Sequence, residues 1–558
     1  MPRDSSIKAV QHDALDHLGD FTTTTRVLPI AALAIVIGVA AAYVAAGLLK
    51  LINFFTNLFF YQRFSMAAAS PATHHLGLYV VIVPVIGAFI VGLMARYGSD
   101  KIRGHGIPEA IEAILMKGSR VEPKVALLKP LSAAISIGSG GPFGAEGPII
   151  MTGGALGSLA AQFFHLTSSE RKTLLVAGAA AGMSATFAAP VASVILAVEL
   201  LLFEWKPRSI IPVALASATA AAVRRHVLGL GPVFAVPAHP AMIGWEGLAG
   251  CVVAGALAGL LSALLTNAVY ASEDAFHKLP IHWMWWPPIG GLIIGIGGLL
   301  FPQALGVGYD VIAQLLQGDA PTRIIVGVLL VKSTIWAMSL GSGTSGGVLA
   351  PLLMMGAALG AAEAHILPAE GLGFWPLVSM GAVLAGTMRA PLTGVVFALE
   401  LTQDVNMLLP LLIAVTIAYG FTVLTMKRSI LTEKIGRRGY HLSQEYSVDP
   451  LEIIFARDVA RTDAADALVA DAASHGIVAY GDEPLRVIAY RMAEKALTRL
   501  SVIRREDGAA LGIIELSDLL TARSRVLDAE QRRERTLGTR VQLRAIAAMF
   551  GGNRRPRP

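Results

Sequence analysis

The stretch SIGSGGPFGAEGPIIMTGGALG, residues Ser136–Gly157, decides how this chain is read. It is apolar and rich in glycine, yet it sets one carboxylate, Glu146, between glycines. Pro148 follows, and the run after it reads as a helix. Proline is favoured at a first helical position, where its missing N–H costs nothing. Unpaired backbone N–H groups and the positive end of the helix dipole therefore gather around Ala145 to Ile149, which makes an anion site. A carboxylate placed there can occupy the site itself, as a tethered competitor for a mobile anion.

The surroundings of this stretch are those of a membrane protein. The chain has 558 residues, of which 54% are hydrophobic and 15% charged, with a mean hydropathy of +0.62. A soluble chain carries about 25% charged residues. Apolar runs such as Leu28–Leu49, Leu78–Met94 and Leu248–Leu265 are long enough to span a bilayer. The N-terminal residues MPRDSSIKAVQHDALDHLGDF are polar and lack the apolar core of a signal peptide, so residues 1–26 read as a cytoplasmic tail. The single cysteine, Cys251, excludes an intramolecular disulfide and a cysteine metal cluster. The net charge of +6 is assigned to cytoplasmic loops rather than to nucleic-acid binding. The Lys101–Lys129 region, with Lys101, Arg103, Lys117, Arg120, Lys124 and Lys129, is accordingly placed at the cytoplasmic side.

A second helix start lies upstream. Gly104-His105-Gly106-Ile107-Pro108-Glu109 breaks the apolar pattern and opens PEAIEAILM. Many later apolar segments are short or interrupted by Gly and Pro, as in Gly347–Ala362, Phe374–Leu384 and Pro391–Thr402. Broken helices at membrane depth are tolerated where they line an enclosed cavity. In paired halves they point to an ion site at the midplane. The pairing is visible directly. Shifted by 203 residues, Ser136–Gly157 lies on Ser339–Gly360, SLGSGTSGGVLAPLLMMGAALG, with 11 of 22 positions identical. Composition alone gives about two or three. At the same offset Lys129 falls on Lys332. At offset 201, Ala189–Leu200 lies on Ala390–Leu401 with six of 12 identical, and Glu199 falls on Glu400. The chain is internally duplicated over about 200 residues. The comparison leaves open whether the halves are parallel or inverted.

These motifs resemble those of the CLC family of chloride channels and chloride/proton antiporters, of bacterial type. GHGIP at 104–108 matches GxGIP, GAEGP at 144–148 matches GxEGP, and GGVLAP at 346–351 matches GxFxP. The resemblance covers residues 27–440. It implies an all-α polytopic membrane protein with an internally duplicated, inverted-repeat fold of many broken and tilted helices, its halves at about 27–225 and 245–440. It also implies a homodimer in the bilayer with a separate anion pore in each subunit. Carried over by motif, Glu146 is the gating glutamate. The anion-binding set is Gly104, His105, Gly106, Ile107, Pro108, Gly144, Ala145, Gly147, Pro148, Gly347, Val348 and Leu349, with Leu431 at the position of a further side-chain ligand. Backbone partial charges hold an anion weakly enough for it to leave, where a full charge would trap it.

Four positions depart from the family pattern. His105 stands where the family often has a serine hydroxyl, Leu431 where it usually has a tyrosine, and Leu349 where GxFxP has phenylalanine. Leu200, after Glu199, stands where family antiporters carry a proton-transfer glutamate, and leucine carries no proton. Glu146 and Glu199 are then the proton-pathway candidates, with Glu199 also readable as a helix cap. Leu200 inclines the reading toward a channel-like, Glu-gated pore for chloride or similar small anions. The alternative is a chloride/proton antiporter with a non-standard internal proton route.

From about Ser447 the composition changes to that of a soluble α/β module, placed at 447–525 on the cytoplasmic side. Its ending, GAALGIIELSDLL at 508–520, resembles one copy of a CBS motif. Adenine nucleotide binding and a dimerisation clamp are its two readings. Residues 526–558 form a basic tail expected to be disordered. No cofactor or metal is expected, and chloride is substrate. Both termini are expected on the cytoplasmic face of the cell membrane. An organic-substrate transporter needs a roomier midplane cavity than Gly-dense helix ends suggest. A membrane enzyme lacks support, since the chain has no HExxH. A membrane part that merely anchors a CBS sensor is disfavoured by the duplication.

Overall fold

A computed structural model describes residues 23–240, 242–439, 451, 454–461 and 477–524. Most of the expected N-terminal tail and the whole basic tail fall outside these residues. The chain divides into two units, Met1–Gln444 and Glu445–Pro558.

The first unit is helical. Among the described residues, six helical stretches are long and apolar enough to cross a membrane, and the protein is a multi-pass membrane protein. Helix α1 (Val27–Tyr61) has 35 residues, about 52 Å at 1.5 Å per residue, longer than the roughly 30 Å hydrocarbon core. The first half continues with α2 (Ile82–Tyr97), α3 (Ile107–Met116), α4 (Pro123–Gly138), α5 (Glu146–Gln162), α6 (Ser168–Phe187), α7 (Pro190–Leu196) and α8 (Pro207–Val227). The second half holds α9 (Trp245–His277), α10 (Trp286–Leu300), α11 (Tyr309–Gln317), α12 (Thr322–Gly327), α13 (Ser333–Gly341), α14 (Leu349–Glu363), α15 (Phe374–Met388), α16 (Pro391–Thr402), α17 (Leu408–Thr425) and α18 (Ile430–Arg437).

Small residues bring these helices close. A Cβ on Gly153 would fall 2.3 Å from the Gly178 carbonyl oxygen, and one on Gly157 would fall 2.0 Å from that of Leu174. Helices α5 and α6 therefore touch backbone to backbone, the packing that replaces the hydrophobic drive in a membrane. The helix opening at Pro190 widens into a π-turn over Ala197–Leu202 and stops at Phe203, whose φ is +52°.

The two halves are inverted, and three sets of equivalent residues make this visible. Gly144 and Gly347 are 203 positions apart. Each donates its N–H to the other's carbonyl, at 3.0 and 2.8 Å, in an antiparallel bridge. Reciprocal pairing between two copies of one residue requires a two-fold relation between the copies. Glu199 accepts from the N–H groups of Leu392 and Thr393 at 3.1 and 2.9 Å, at the start of α16. Glu400 accepts from those of Val191 and Ala192 at 3.0 and 2.8 Å, at the start of α7. Each half thus caps a helix of the other.

The second unit, taken by itself, is a small α/β fold. Strand β2 (Arg499–Ile503) pairs in parallel with β1 (Ala479–Tyr480) and antiparallel with β3 (Ala510–Glu515). Helix α19 (Leu485–Glu494) crosses from β1 to β2. Leu485, Ile488, Met492, Val502 and Ile514 form its core.

The reciprocal caps lead to a stability prediction. Hydrogen bonds to a charged group contribute about 1.5–3 kcal/mol. Glu199→Gln and Glu400→Gln should each lower the apparent melting temperature in detergent by several degrees, read by intrinsic fluorescence. An unchanged melting temperature would show that these carboxylates carry no capping energy.

Candidate anion pathway

The site is built from helix starts. Gly104 and Gly106 precede α3 with φ of +77° and +90°, a region that side chains enter only with strain. The loop they form is held from behind by Lys129. This fully buried side chain donates to the carbonyls of Ile102 at 2.8 Å and Gly104 at 2.7 Å, and to Ser345 Oγ at 3.3 Å. The Gly104 N–H in turn reaches the Thr344 carbonyl at 3.2 Å. The loop before α3 is thereby bound to the loop before α14.

Three N-termini then converge: α3 at Ile107, α5 at Glu146 and α14 at Leu349. A Cβ on Gly147 would lie 1.9 Å from the His105 carbonyl oxygen. One on Gly347 would lie 2.7 Å from the Gly144 carbonyl oxygen and 2.8 Å from the Gly147 nitrogen. Ala145, Pro148, Val348 and Leu349 are all buried around this meeting point, as are Ile107 and Pro108. The arrangement offers unpaired amides and dipole ends.

Glu146 fills it. The side chain is completely buried. Its carboxylate folds back over Gly144 so closely that a Cβ there would fall 1.6 Å from Oε2. Oε1 accepts from the Tyr309 hydroxyl at 3.2 Å. The backbone N–H groups of Glu146 and Ala350 also act on it, as does the charge of Lys332. Oε2 has no hydrogen-bond partner. The carboxylate sits where the helix starts meet, close to Gly144 and Gly347, in the position where a small anion would be held.

Tyr309 is the residue that sequence reasoning misses. It opens α11 after Gly306 and Gly308, whose φ values are +65° and +80°. Shifted by 202 residues, GHG at 104–106 falls on GVG at 306–308. Lys332 donates to the Gly306 carbonyl at 2.7 Å, as Lys129 does to that of Gly104. The repeated G-x-G was the available signal. It is masked by the one-residue change of offset and by Asp310 standing where GHGIP has Pro108.

Two cavities approach the carboxylate. One, of about 480 Å³, is lined by Arg103, His105, Glu109, Tyr270, Lys434 and Arg437 among others. The second, of about 380 Å³, is lined by Gly306, Val307, Gly308, Tyr309 and Asp310 with residues of α1. His105 abuts Gly147 and Tyr309 touches Glu146, so the carboxylate stands between the two. The first mouth is rich in cations, which raise the local anion concentration. Lys434 is paired there with Glu109 at 2.7 Å, and Arg103 lies 4.6 Å over the Trp283 ring.

The remaining sequence candidates take distinct places. His105 is buried at the first cavity with Nδ1 unpartnered. Leu431 is buried in the first turn of α18. A tyrosine hydroxyl does reach that turn from α9, but Tyr270 donates it to the Ile430 carbonyl at 2.5 Å. Leu200 is buried in the π-turn. Both oxygens of neighbouring Glu199 are engaged at the start of α16, Oε2 also by the Thr393 hydroxyl at 2.6 Å. Among the described residues, no group of three His, Cys, Asp or Glu side chains is arranged to hold a metal.

Such a constellation, on a duplicated and inverted helical fold, defines a membrane anion transporter. A family model described as voltage gated chloride channel matches residues 86–423. An H(+)/Cl(-) exchange transporter ClcA from Klebsiella pneumoniae subsp. pneumoniae is 31% identical, over 68% of this chain and 83% of its own. A putative chloride channel protein ClcB-like from Ralstonia nicotianae is 29% identical, over 64% and 85%. Among solved structures, a slow cyanobacterial Cl-/H+ antiporter aligns with a TM-score of 0.67 at 22% identity, over 75% of this chain and 99% of that one. A CLC-type fluoride/proton antiporter aligns with a TM-score of 0.62 at 19% identity, over 72% and 97%. The chain belongs to the CLC family and is a transporter of anions, not an enzyme.

The fit of the carboxylate over Gly144 yields a test. In Gly144→Ala the added methyl takes the space of Oε2, so the carboxylate must leave the amides. Chloride efflux from liposomes at pH 7 should rise toward the level reached by removing the carboxylate. Wild-type efflux in a correctly assembled variant would contradict the geometry.

Proposed function

We propose that this protein exchanges chloride, or a similar small anion, for protons across the cell membrane, with Glu146 as both gate and proton carrier. The observation that carries the reading is the placement of the Glu146 carboxylate among the backbone amides between two cavities. Ionised, it competes with the anion for those amides. Protonated, it loses that advantage and yields the position. Anion passage and proton uptake thereby use one side chain. The ClcA relatives, named as exchangers, support exchange over the channel-like inclination drawn from Leu200.

Leu200 still favours a second reading in one respect. It offers no carboxylate to hand a proton to Glu146, and Glu199 is engaged as a helix cap. Exchange therefore runs through an inner proton route that does not use position 200, and a loosely coupled, channel-like flux is the reading that follows if no such route operates. Positive-inside bias supports the cavity of Arg103, His105 and Lys434 as the cytoplasmic mouth, with both termini cytoplasmic. A homodimer in the bilayer is part of this reading through the family resemblance. The βαββ order of the second unit supports a CBS-like module. Adenine nucleotide binding there is tested by nucleotide-induced thermal shift.

In liposomes, an imposed chloride gradient should drive protons uphill in the wild type. Anion flux should rise on acidification, since each Glu146 that gains a proton stops competing for the amides. Glu146→Gln should transport anion at a rate independent of pH and move no protons. Chloride flux with no proton movement in the wild type would select the channel reading. An unchanged pH response in Glu146→Gln would remove Glu146 as gate.

A further inference from the structure

Both side-chain hydroxyls that the family resemblance places beside the anion are replaced here, by His105 and Leu431. A different hydroxyl, that of Tyr309, reaches the same carboxylate from the opposite mouth. We propose that Tyr309 is the side-chain ligand of this pathway: it latches the ionised Glu146 carboxylate onto the amides and donates the same O–H to the anion that replaces it. This rests on Glu146 being the gate.

The geometry favours a dedicated ligand over a hydroxyl that merely finds a partner. Tyr309 is the first residue of α11, set by Gly308 at φ +80°. Its ring is held by Phe187 and Phe234, with centroids at 6.4 and 6.1 Å. Phe187 is itself held by Phe397 at 5.1 Å. The hydroxyl projects from this aromatic collar to Oε1 of a completely buried carboxylate. Position and orientation are therefore fixed whether or not the carboxylate is present. A hydroxyl preorganised in this way donates to whichever negative group occupies the spot.

The charged surroundings leave Tyr309 a distinct part. Lys332 acts on Glu146 but is anchored to the Gly306 carbonyl at 2.7 Å. Asp310, which acts on Lys332, is exposed in the second cavity and accepts from Ser70 Oγ at 3.0 Å. Lys129 is engaged behind Gly104. Apart from Tyr309, no side chain donates a hydrogen bond to Glu146 among the described residues. The pseudo-symmetric position, opening α3, is Ile107, which has no hydroxyl to offer.

Tyr309→Phe keeps the ring contacts and removes the donor. A hydrogen bond to a charged group is worth a factor of about ten or more. In full-length protein in liposomes, chloride flux of Tyr309→Phe at pH 7 should rise about tenfold and the gain on acidification should shrink, because the latch is gone. In a Glu146→Ala background, which has no carboxylate to compete, Tyr309→Phe should weaken chloride binding about tenfold by calorimetry. Unchanged binding in that background, or flux lowered equally at every pH, would overturn the proposal. A wild-type pH response in Glu146→Gln would instead overturn the gate itself, so the two failures are distinct.

Discussion

Gly144 and Gly347 exchange backbone hydrogen bonds across the axis that relates the two halves of the chain, and the rest of the pathway depends on that contact. It brings the starts of α5 and α14 together with no side chain between them. Any Cβ at Gly347 would strike the Gly144 carbonyl, and any Cβ at Gly144 would strike Glu146. The duplication therefore adds the amide donors of α14, from the second half, to those of α3 and α5 from the first, all directed at one point.

The electrostatics follow from the same constraint. Both lysines nearest the point, Lys129 and Lys332, spend their ammonium groups on carbonyls of the G-x-G loops. They stabilise the backbone that presents the amides rather than meeting the anion directly. The site is thus positive through dipoles and through cations one layer back. A bare ammonium at the point itself would bind an anion too firmly to release it. The carboxylate of Glu146 is the matching element: a tethered anion whose hold on the amides ends when it gains a proton.

Much of this is legible in the sequence because its causes are local or repeated. Glu146 stands out as a charge between glycines in an apolar run, and Pro148 marks the helix start behind it. The duplication shows in identities that backbone contact demands, glycines and the lysines above all. Tyr309 does not show. Its half of the G-x-G pair has drifted by one residue in register, and a tyrosine opening a helix carries no signal of what it will touch 163 positions earlier. The π-turn at Ala197–Leu202 is equally silent, because a wider turn leaves no mark in composition. The reciprocal caps of Glu199 and Glu400 lie between: their symmetry is readable, but which helix each caps depends on the inversion.

The central claim is that an ionised Glu146 and a transported anion compete for one position. Crystals grown in bromide at neutral and at acid pH, read by anomalous scattering, address it directly. The account predicts, at acid pH, a bromide peak beside Gly144 and the amide of Ala350, with the Glu146 side chain displaced. At neutral pH it predicts the carboxylate there and no peak. Bromide bound elsewhere at both pH values, with Glu146 unmoved, would contradict it.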